Sequence, residues 1–173
     1  MEKKHDHLEI ERKYLIRYPD LDWLAGQCGI RCAELSQTYL CSDGMHSRRV
    51  RSWTENGETT YYKTAKRQLT ERTRIEEECA VTEQEYLALL RERDPNRRTI
   101  NKTRWILPWG THYLEIDVYS FWTHQAVLEC ELKSEDEEFS VPEELHTIRE
   151  VTGDRRYLNS ALALSIPAED KLD

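Results

Sequence analysis

Charged and apolar side chains alternate along residues 8–17, near the start of the chain. Glu9, Glu11 and Lys13 share one parity, and the other parity includes Ile10. Because successive side chains of a β-strand point to opposite faces, this alternation predicts a strand with one charged face. A single strand of this kind is also typical of an ordinary solvated sheet surface.

Similar alternation recurs along the chain, with turn signals between the segments. Eight strands are predicted, over residues 8–17, 37–41, 47–54, 59–66, 72–81, 100–107, 112–119 and 126–134. Glu55-Asn56-Gly57-Glu58, for example, is typical of a hairpin turn. Since the connections are short, the strands favour an antiparallel sheet, which eight strands can close into a barrel.

Helical patterns flank these strands. Helices are predicted over residues 21–29, after Thr82, and in the tail over residues 142–151 and 157–165. Thr82 followed by Glu85 fits a capping box, in which each side chain binds the main-chain N–H of the other residue. The expected fold class is therefore mainly β (α+β), an eight-stranded antiparallel β-barrel tunnel with flanking helices, in one domain over residues 1–173.

Most of the predicted strands have one charged face and one mainly apolar face. The charged positions of one parity include Arg49, Arg51, Lys66, Arg74, Glu76, Glu78, Lys102, Arg104, Glu115, Asp117, Glu129, Glu131 and Lys133. Burying so many charges in a dry interior would be very costly, whereas a wet channel that holds metal ions and a polyanion removes that cost. The competing interpretation is an antiparallel sandwich with salt-bridged outer faces, which leaves the regular pairing of acidic positions without a cause.

The acidic and the basic positions suit different ligands. Carboxylates two residues apart on a strand, such as Glu129 and Glu131, are neighbours on one face and supply oxygen ligands for Mg²⁺ or Mn²⁺. Arginine and lysine bind phosphate oxygens, and arginine can do so with two parallel hydrogen bonds. Carboxylates for metal ions together with cations for phosphates are the parts that phosphoryl transfer requires.

Composition narrows the function further. The 173 residues include 33 acidic and 25 basic side chains, and the net charge of −8 disfavours a general nucleic-acid binder but permits a locally bound small polyanion. The five cysteines are odd in number and lack paired short spacings, which predicts free thiols in a reducing compartment. No signal peptide and no apolar run of membrane length is visible, so a cytoplasmic location without membrane partners is expected.

The order of these motifs resembles that of the triphosphate tunnel metalloenzymes, the CYTH superfamily. The matches in family order are Glu9-Ile10-Glu11-Arg12-Lys13, Gln37-Thr38-Tyr39-Leu40, Arg49-Val50-Arg51, Thr64-Ala65-Lys66, Arg74-Ile75-Glu76-Glu77-Glu78, Lys102-Thr103-Arg104, Glu115-Ile116-Asp117, Leu128-Glu129-Cys130-Glu131 and Glu150-Val151-Thr152-Gly153-Asp154. The resemblance covers nearly the whole chain and implies a β-tunnel open at both ends. It is greatest to small bacterial members, which are commonly inorganic triphosphatases.

The resemblance also implies roles for individual residues. Divalent metal ions would be held by Glu9, Glu11, Asp117, Glu129 and Glu131, and the pairing of carboxylates along a strand adds Glu115. Phosphates would be bound by Lys13, Arg49, Arg51, Lys66, Lys102, Arg104 and Arg156, and the shared charged faces add Arg74 and Lys133. Glu76 and Glu78 would position a second metal ion or an attacking water.

Tyr39 matches a tyrosine that is proposed, in bacterial members, to lie against the motif lysine and to assist proton transfer. By this resemblance Tyr39 and Lys13 are candidate catalytic residues, and Tyr39 would tune Lys13. The equal alternative is that Tyr39 is a packed aromatic side chain of a strand.

The expected reaction is hydrolysis of inorganic triphosphate to diphosphate and phosphate with Mg²⁺ or Mn²⁺, by a monomer or homodimer. Cyclisation of ATP, as in class IV adenylate cyclases, and hydrolysis of thiamine or nucleoside triphosphates are alternatives for the same tunnel. A non-catalytic module that binds polyphosphate or nucleotides is an alternative of another class, although capture of a polyanion alone would favour cations without paired carboxylates.

Overall fold

The computed structural model describes residues 10–42, 46–68 and 74–171. Glu9, a predicted metal ligand, therefore lies outside the described residues. The predictions for Arg74 and Glu76 concern side chains that are also outside the described part of the chain, although both residues belong to a strand.

Within the described ranges, nine strands form one antiparallel sheet. They are β1 (Ile10–Arg17), β2 (Arg31–Leu40), β3 (His46–Glu55), β4 (Glu58–Gln68), β5 (Arg74–Val81), β6 (Ile100–Trp109), β7 (His112–Tyr119), β8 (Gln125–Leu132) and β9 (Thr147–Glu150). Their order in the sheet is β5-β4-β3-β2-β6-β7-β8-β1-β9. The predicted fold class, mainly β with antiparallel strands and flanking helices, is confirmed.

The sheet curls like a tunnel but does not close within the described residues, where β5 and β9 form its two edges. Closure into a barrel requires hydrogen bonds between the two edge strands. β9 has four residues and pairs with β1, and its register shifts between Leu15 and Ile16. The described part of the chain therefore forms an open sheet of nine strands where the sequence pattern predicted a closed barrel of eight.

The ninth strand corrects the prediction of a helix over residues 142–151. A short 3₁₀ turn, Glu143–Leu145, ends at His146, which has a positive φ of 43°, and the chain then extends as β9. β9 occupies the edge of β1 that β8 leaves free. Pairing of main-chain groups along that edge outweighs a weak local helical preference, because an unpaired edge leaves N–H and C=O groups without partners.

The helices are shorter than the sequence predicted. They are α1 (Leu21–Ala25), α2 (Glu83–Leu89) and α3 (Asn159–Leu162). The capping box at the start of α2 is confirmed, since the side chains of Thr82 and Glu85 each bind the main-chain N–H of the other. In the described part of the chain, the helices lack the length and apolar character needed to cross a membrane.

Apolar residues cover the outer side of the sheet and one end of its inner side. On the outer side, Ile16, Ile116 and Leu128 pack with Leu24 of α1. On the inner side, an apolar layer is formed by Leu15, Tyr39, Ile100, Tyr119 and Val127. Side chains from the segment after β9, including Val151 and Tyr157, complete this apolar layer, so one end of the inner surface is covered.

Candidate active site on the inner side of the sheet

The antiparallel register brings the predicted charged residues together on neighbouring strands. Lys13 of β1 lies opposite Glu129 of β8, and Glu129 lies opposite Glu115 of β7. Arg104 of β6 lies opposite Asp117 of β7. Directly opposite residues share a face of the sheet, so these side chains form one charged layer beside the apolar layer.

Asp117 is the most enclosed carboxylate of this charged layer, with 0% of its surface exposed. Its Oδ2 accepts hydrogen bonds from Lys102 Nζ at 2.5 Å and Arg104 Nη2 at 2.7 Å, and its Oδ1 accepts one from Arg104 Nε at 2.7 Å. Both oxygens are therefore used by cations. A buried carboxylate is costly unless it is paired in this way, so Asp117 acts as the counter-ion that orders Lys102 and Arg104.

Burial and neighbouring charges compete in setting the pKa values of this group. Burial alone would raise the pKa of Asp117, but Arg104 and Lys102 outweigh it and hold that pKa well below the usual range. Burial, together with the charge of Arg104, lowers the pKa of Lys102 to about 8 even though Asp117 opposes the shift. Burial also raises the pKa of the Glu115 carboxyl above its ordinary value, against the opposing effect of Arg104.

Lys13 connects the two neighbouring acidic positions of β1 and β8. Its Nζ lies 2.8 Å from Glu129 Oε1 and 3.5 Å from Glu11 Oε1. Burial of Lys13 opposes its charge, but Glu129 and Glu11 outweigh burial and raise its pKa. The ammonium group is therefore protonated at neutral pH and can exchange a carboxylate oxygen for a phosphate oxygen.

The second wall of the site is formed by β3, β4 and β5. Glu78 accepts hydrogen bonds from Arg51 Nη2 at 3.0 Å and from the Thr64 hydroxyl at 2.7 Å, and Arg49 Nη2 lies 3.9 Å from it. Arg51 also lies over the rings of Trp53 and Tyr62, at 5.5 and 5.4 Å.

Arg51 has a side-chain N–H without a partner among the described residues, and it interacts electrostatically with the first wall. Its Nε is buried and lacks a hydrogen-bond partner among the described residues, so a ligand that reached it would satisfy this donor. Burial lowers its pKa despite the opposing charge of Glu78, and the charges of Arg104 and Glu115 also act on it. The curl of the sheet thus brings the two walls within electrostatic range of each other.

Tyr39 is buried at the boundary between the charged layer and the apolar layer. Its hydroxyl accepts a hydrogen bond from Gln37 Nε2 at 2.7 Å and also contacts Arg49. Burial raises the pKa of Tyr39, although Arg49 opposes the shift. The observed partners of Lys13 are Glu129 and Glu11, so the described contacts do not include the predicted direct tuning of Lys13 by Tyr39.

Gln37 is a site residue that the sequence reasoning left without a role. It is 1% exposed, lies opposite Arg51 in the register, and holds the Tyr39 hydroxyl. Its position two residues before Tyr39 could have identified Gln37, because that spacing places both side chains on the same face of a strand.

Three predicted phosphate-binding residues lie in different surroundings. Lys133 follows β8 and is exposed, and its main-chain N–H binds Glu137 at 2.6 Å. Arg156 lies in a 3₁₀ turn after β9, where it pairs with Asp154 at 2.6 Å. Lys66 lies on β4, where the register places it opposite Glu76 of β5.

The acidic residues differ in how well they suit a divalent cation. Glu11 and Glu131 lie directly opposite each other, and the Glu11 side chain is 42% exposed. Like charges in that position destabilise a sheet, and a shared Mg²⁺ or Mn²⁺ would remove the repulsion. Glu129 and Glu115 also face each other, but Arg104 contacts both.

Among the described acidic residues, Glu11 and Glu131 therefore fit a hard cation best. Asp117 and Glu129 are predicted ligands whose two carboxylate oxygens already contact cations. Among the described residues, no three acidic, histidine or cysteine side chains converge as a ready-made metal site. Glu9, the other predicted ligand of β1, is outside the described residues.

Known proteins resemble this chain in sequence and in fold. The sequence model of the CYTH domain family matches residues 7–157. The chain is similar to the crystal structure of the inorganic triphosphatase NE1496, with 29% identity, a TM-score of 0.61, and 95% of this chain and 99% of that chain covered. No curated protein matches the chain.

Two further solved structures share the fold at lower identity. The PH1819 protein from Pyrococcus horikoshii OT3 is 18% identical with a TM-score of 0.53, and the match covers 73% of this chain and 81% of that one. A putative adenylate cyclase, bh2851, from Bacillus halodurans is 17% identical with a TM-score of 0.51, and 96% of each chain is covered. At these identities the likeness concerns the fold alone.

Proposed function

Since this chain belongs to the CYTH domain family, we propose that it hydrolyses inorganic triphosphate to diphosphate and phosphate on the inner side of its sheet, with Mg²⁺ or Mn²⁺ as cofactor. The similarity to the inorganic triphosphatase NE1496 over nearly the full length of both chains supports this substrate. The protein would thus be a hydrolase of phosphoanhydride bonds.

The observation that carries the proposal is the charged layer, in which cations and carboxylates alternate on facing walls. Lys13, Lys102 and Arg104 lie on one wall, and Arg51, whose Nε has no partner among the described residues, lies on the other. A triphosphate has several closely spaced anionic oxygens, and cations presented from two sides can bind them along its length. An outer face held by salt bridges would not require carboxylates as deeply buried as Asp117.

The residues of the chain have separate roles in this reaction. Asp117 keeps Lys102 and Arg104 in place while the phosphates bind. Glu11 and Glu131 would hold the divalent cation, which, when bound, neutralises phosphate oxygens and acts as a Lewis acid. Glu78, which accepts hydrogen bonds from Arg51 and Thr64, would orient an attacking water from the second wall.

The covered end of the inner surface supports a compact substrate. Tyr39 and Tyr119 of the apolar layer close the space next to the charged layer, and side chains after β9 pack behind them. Apolar side chains at this end exclude water from the phosphates, which strengthens the electrostatic interactions there.

A substrate panel tests the proposal. The purified protein is supplied with inorganic triphosphate, ATP or thiamine triphosphate in Mg²⁺, Mn²⁺ or EDTA, and phosphate, diphosphate and cyclic AMP are measured separately. We expect the highest kcat/KM with inorganic triphosphate and a divalent cation, and none in EDTA. Faster formation of cyclic AMP from ATP, or tight binding of triphosphate without turnover in either metal, would overturn the proposal.

A further inference from the structure

The chain that follows β9 is bound to β1 at one residue, Lys13. The N–H of Val151 donates to the Lys13 carbonyl oxygen at 2.8 Å, and the N–H of Lys13 donates to the Thr152 hydroxyl at 2.9 Å. Regular pairing of β9 with β1 ends at Glu150 and Tyr14. A side-chain hydroxyl therefore satisfies the Lys13 N–H just beyond the last regular pair.

The Thr152 hydroxyl is itself held in place. While it accepts the hydrogen bond from Lys13, it donates its proton to Glu150 Oε1 at 2.7 Å. Glu150 accepts two further hydrogen bonds from Arg12, at 2.9 and 2.7 Å. This bidentate pair fixes the carboxylate that orients the hydroxyl, so two adjacent residues of β1 are tied to the same short segment.

The residues on either side of Thr152 also restrict its position. Gly153 has a φ of +75°, a conformation that glycine adopts without strain and that turns the chain directly after Thr152. Val151, on the other side, is buried in the apolar layer with Tyr157. Thr152 therefore lies between a buried anchor and a sharp turn, where its hydroxyl has little freedom.

The position of the Lys13 main chain decides where its ammonium group lies. Arg12 and Lys13 are consecutive residues of a strand and point to opposite faces. Arg12 binds Glu150 on one side, and Lys13 Nζ meets Glu129 at 2.8 Å on the other. A shift of the strand at this point would move Lys13 within the charged layer.

We infer that Thr152, oriented by Glu150, is a positioning residue that fixes the main chain at Lys13 and thereby places the Lys13 ammonium group against the substrate phosphates. The inference rests on the proposed function, in which Lys13 binds phosphate. The motif Glu150-Val151-Thr152-Gly153-Asp154 has no part in the proposed reaction itself, and this inference assigns it a positioning role.

Substitution of Thr152 tests the inference. Thr152→Val keeps the shape of the side chain and removes the hydroxyl, whereas Thr152→Ser keeps the hydroxyl. We expect Thr152→Val to raise the KM for triphosphate about five- to tenfold with kcat changed less than about twofold, since a phosphate contact made equally in the ground and transition states affects KM. Thr152→Ser should restore KM to within about twofold of the wild type.

A double-mutant cycle separates positioning from general stability. Affinity for a hydrolysis-resistant imido analogue of triphosphate is measured by calorimetry in Mg²⁺ for wild type, Thr152→Val, Lys13→Met and the double variant. If Thr152 acts through Lys13, Thr152→Val loses its effect on affinity once Lys13 is absent. Equal effects of Thr152→Val in both backgrounds would overturn the inference. Glu150→Gln replaces Thr152→Val in the cycle if the valine variant does not fold.

The hydrolysis of triphosphate and the positioning role of Thr152 can fail independently, and a control variant helps to tell these failures apart. Glu92→Gln breaks the exposed Arg48–Glu92 pair, which is 2.9 Å long. Arg48 lies on β3, and four strands separate β3 from β1 in the sheet, so this variant should leave affinity unchanged. A wild type that binds the analogue without hydrolysing triphosphate would refute the proposed reaction, and the cycle would still decide the role of Thr152. Normal turnover with an additive cycle would refute only the role of Thr152, and absence of analogue binding would refute both.

Discussion

The substitution Asp117→Asn tests whether one buried carboxylate stabilises the charged layer. The substitution preserves the shape of the side chain and removes its negative charge. Asp117 is 0% exposed and contacts Lys102 at 2.5 Å and Arg104 at 2.7 Å. Asparagine offers one acceptor oxygen, and its amide nitrogen would face a cation, so at least one of these hydrogen bonds is lost.

The magnitude follows from the burial of the two cations. Removing one partner of a buried ion pair costs about 3–5 kcal/mol, because the remaining charge is left uncompensated. Each kcal/mol lowers the melting temperature of a domain of this size by about 2–4 °C. Asp117→Asn should therefore melt roughly 6–20 °C below the wild type. Arg104 keeps contacts with Glu115 and Glu129, which favours the lower half of that range.

Thermal and urea unfolding of the metal-free protein, followed by circular dichroism, measures this effect. Glu92→Gln is the matched control, since the exposed Arg48–Glu92 pair contributes about 0–1 kcal/mol. Adding Lys102→Met to Asp117→Asn should recover part of the lost stability, because it removes one uncompensated cation.

Two results would refute the reasoning about Asp117. One is a melting temperature for Asp117→Asn within about 2 °C of the Glu92→Gln control, which would mean that the carboxylate stabilises the fold no more than an exposed one. The other is a double variant whose loss of stability equals the sum of the two single losses, which would exclude charge imbalance as the cause.

The remaining predictions concern the metal, the thiols and pH. Glu131→Gln should raise the Mn²⁺ concentration for half-maximal activity at least about tenfold while leaving stability unchanged or higher, because it relieves repulsion with Glu11; an unchanged Mn²⁺ titration would contradict the assignment. Native protein should react with an aromatic disulfide reagent at exposed Cys79 and not at buried Cys130, where burial raises the pKa to about 11; peptide mapping checks this. Because burial lowers the pKa of Lys102 to about 8 from 10.5, the unfolded chain binds more protons at this lysine between these values, so Lys102 contributes a rise in the free energy of unfolding with pH in the metal-free protein, which the raised pKa of Cys130 opposes. Urea unfolding of Lys102→Met should show a smaller rise across that range, and equal slopes would contradict the shift.

Much of the fold could be predicted from local patterns in the sequence. Alternation with a period of two depends only on strand geometry, so the strands containing Lys13, Arg51, Arg104 and Glu129 were predicted together with the faces that these side chains share. The capping box at Thr82 is equally local, and the structure has it.

Local sequence patterns did not predict the structure of the tail or whether the sheet closes. The predicted helix over residues 142–151 became β9 because the free edge of β1 offers main-chain partners that residues 142–151 do not contain within themselves. Whether a curled sheet closes depends on its edge strands meeting, which is a property of the whole sheet and not of any segment.

The sequence by itself determined which residue types share a face, and with them the prediction of a phosphate- and metal-binding surface. Only the tertiary structure determined the separate role of each of those residues. It made Asp117 a buried counter-ion, placed Gln37 on Tyr39, and tied Thr152 to the main chain of Lys13. The physical reason is that parity follows from one strand, whereas pairing, burial and the resulting pKa shifts depend on strand register and on segments distant in the sequence.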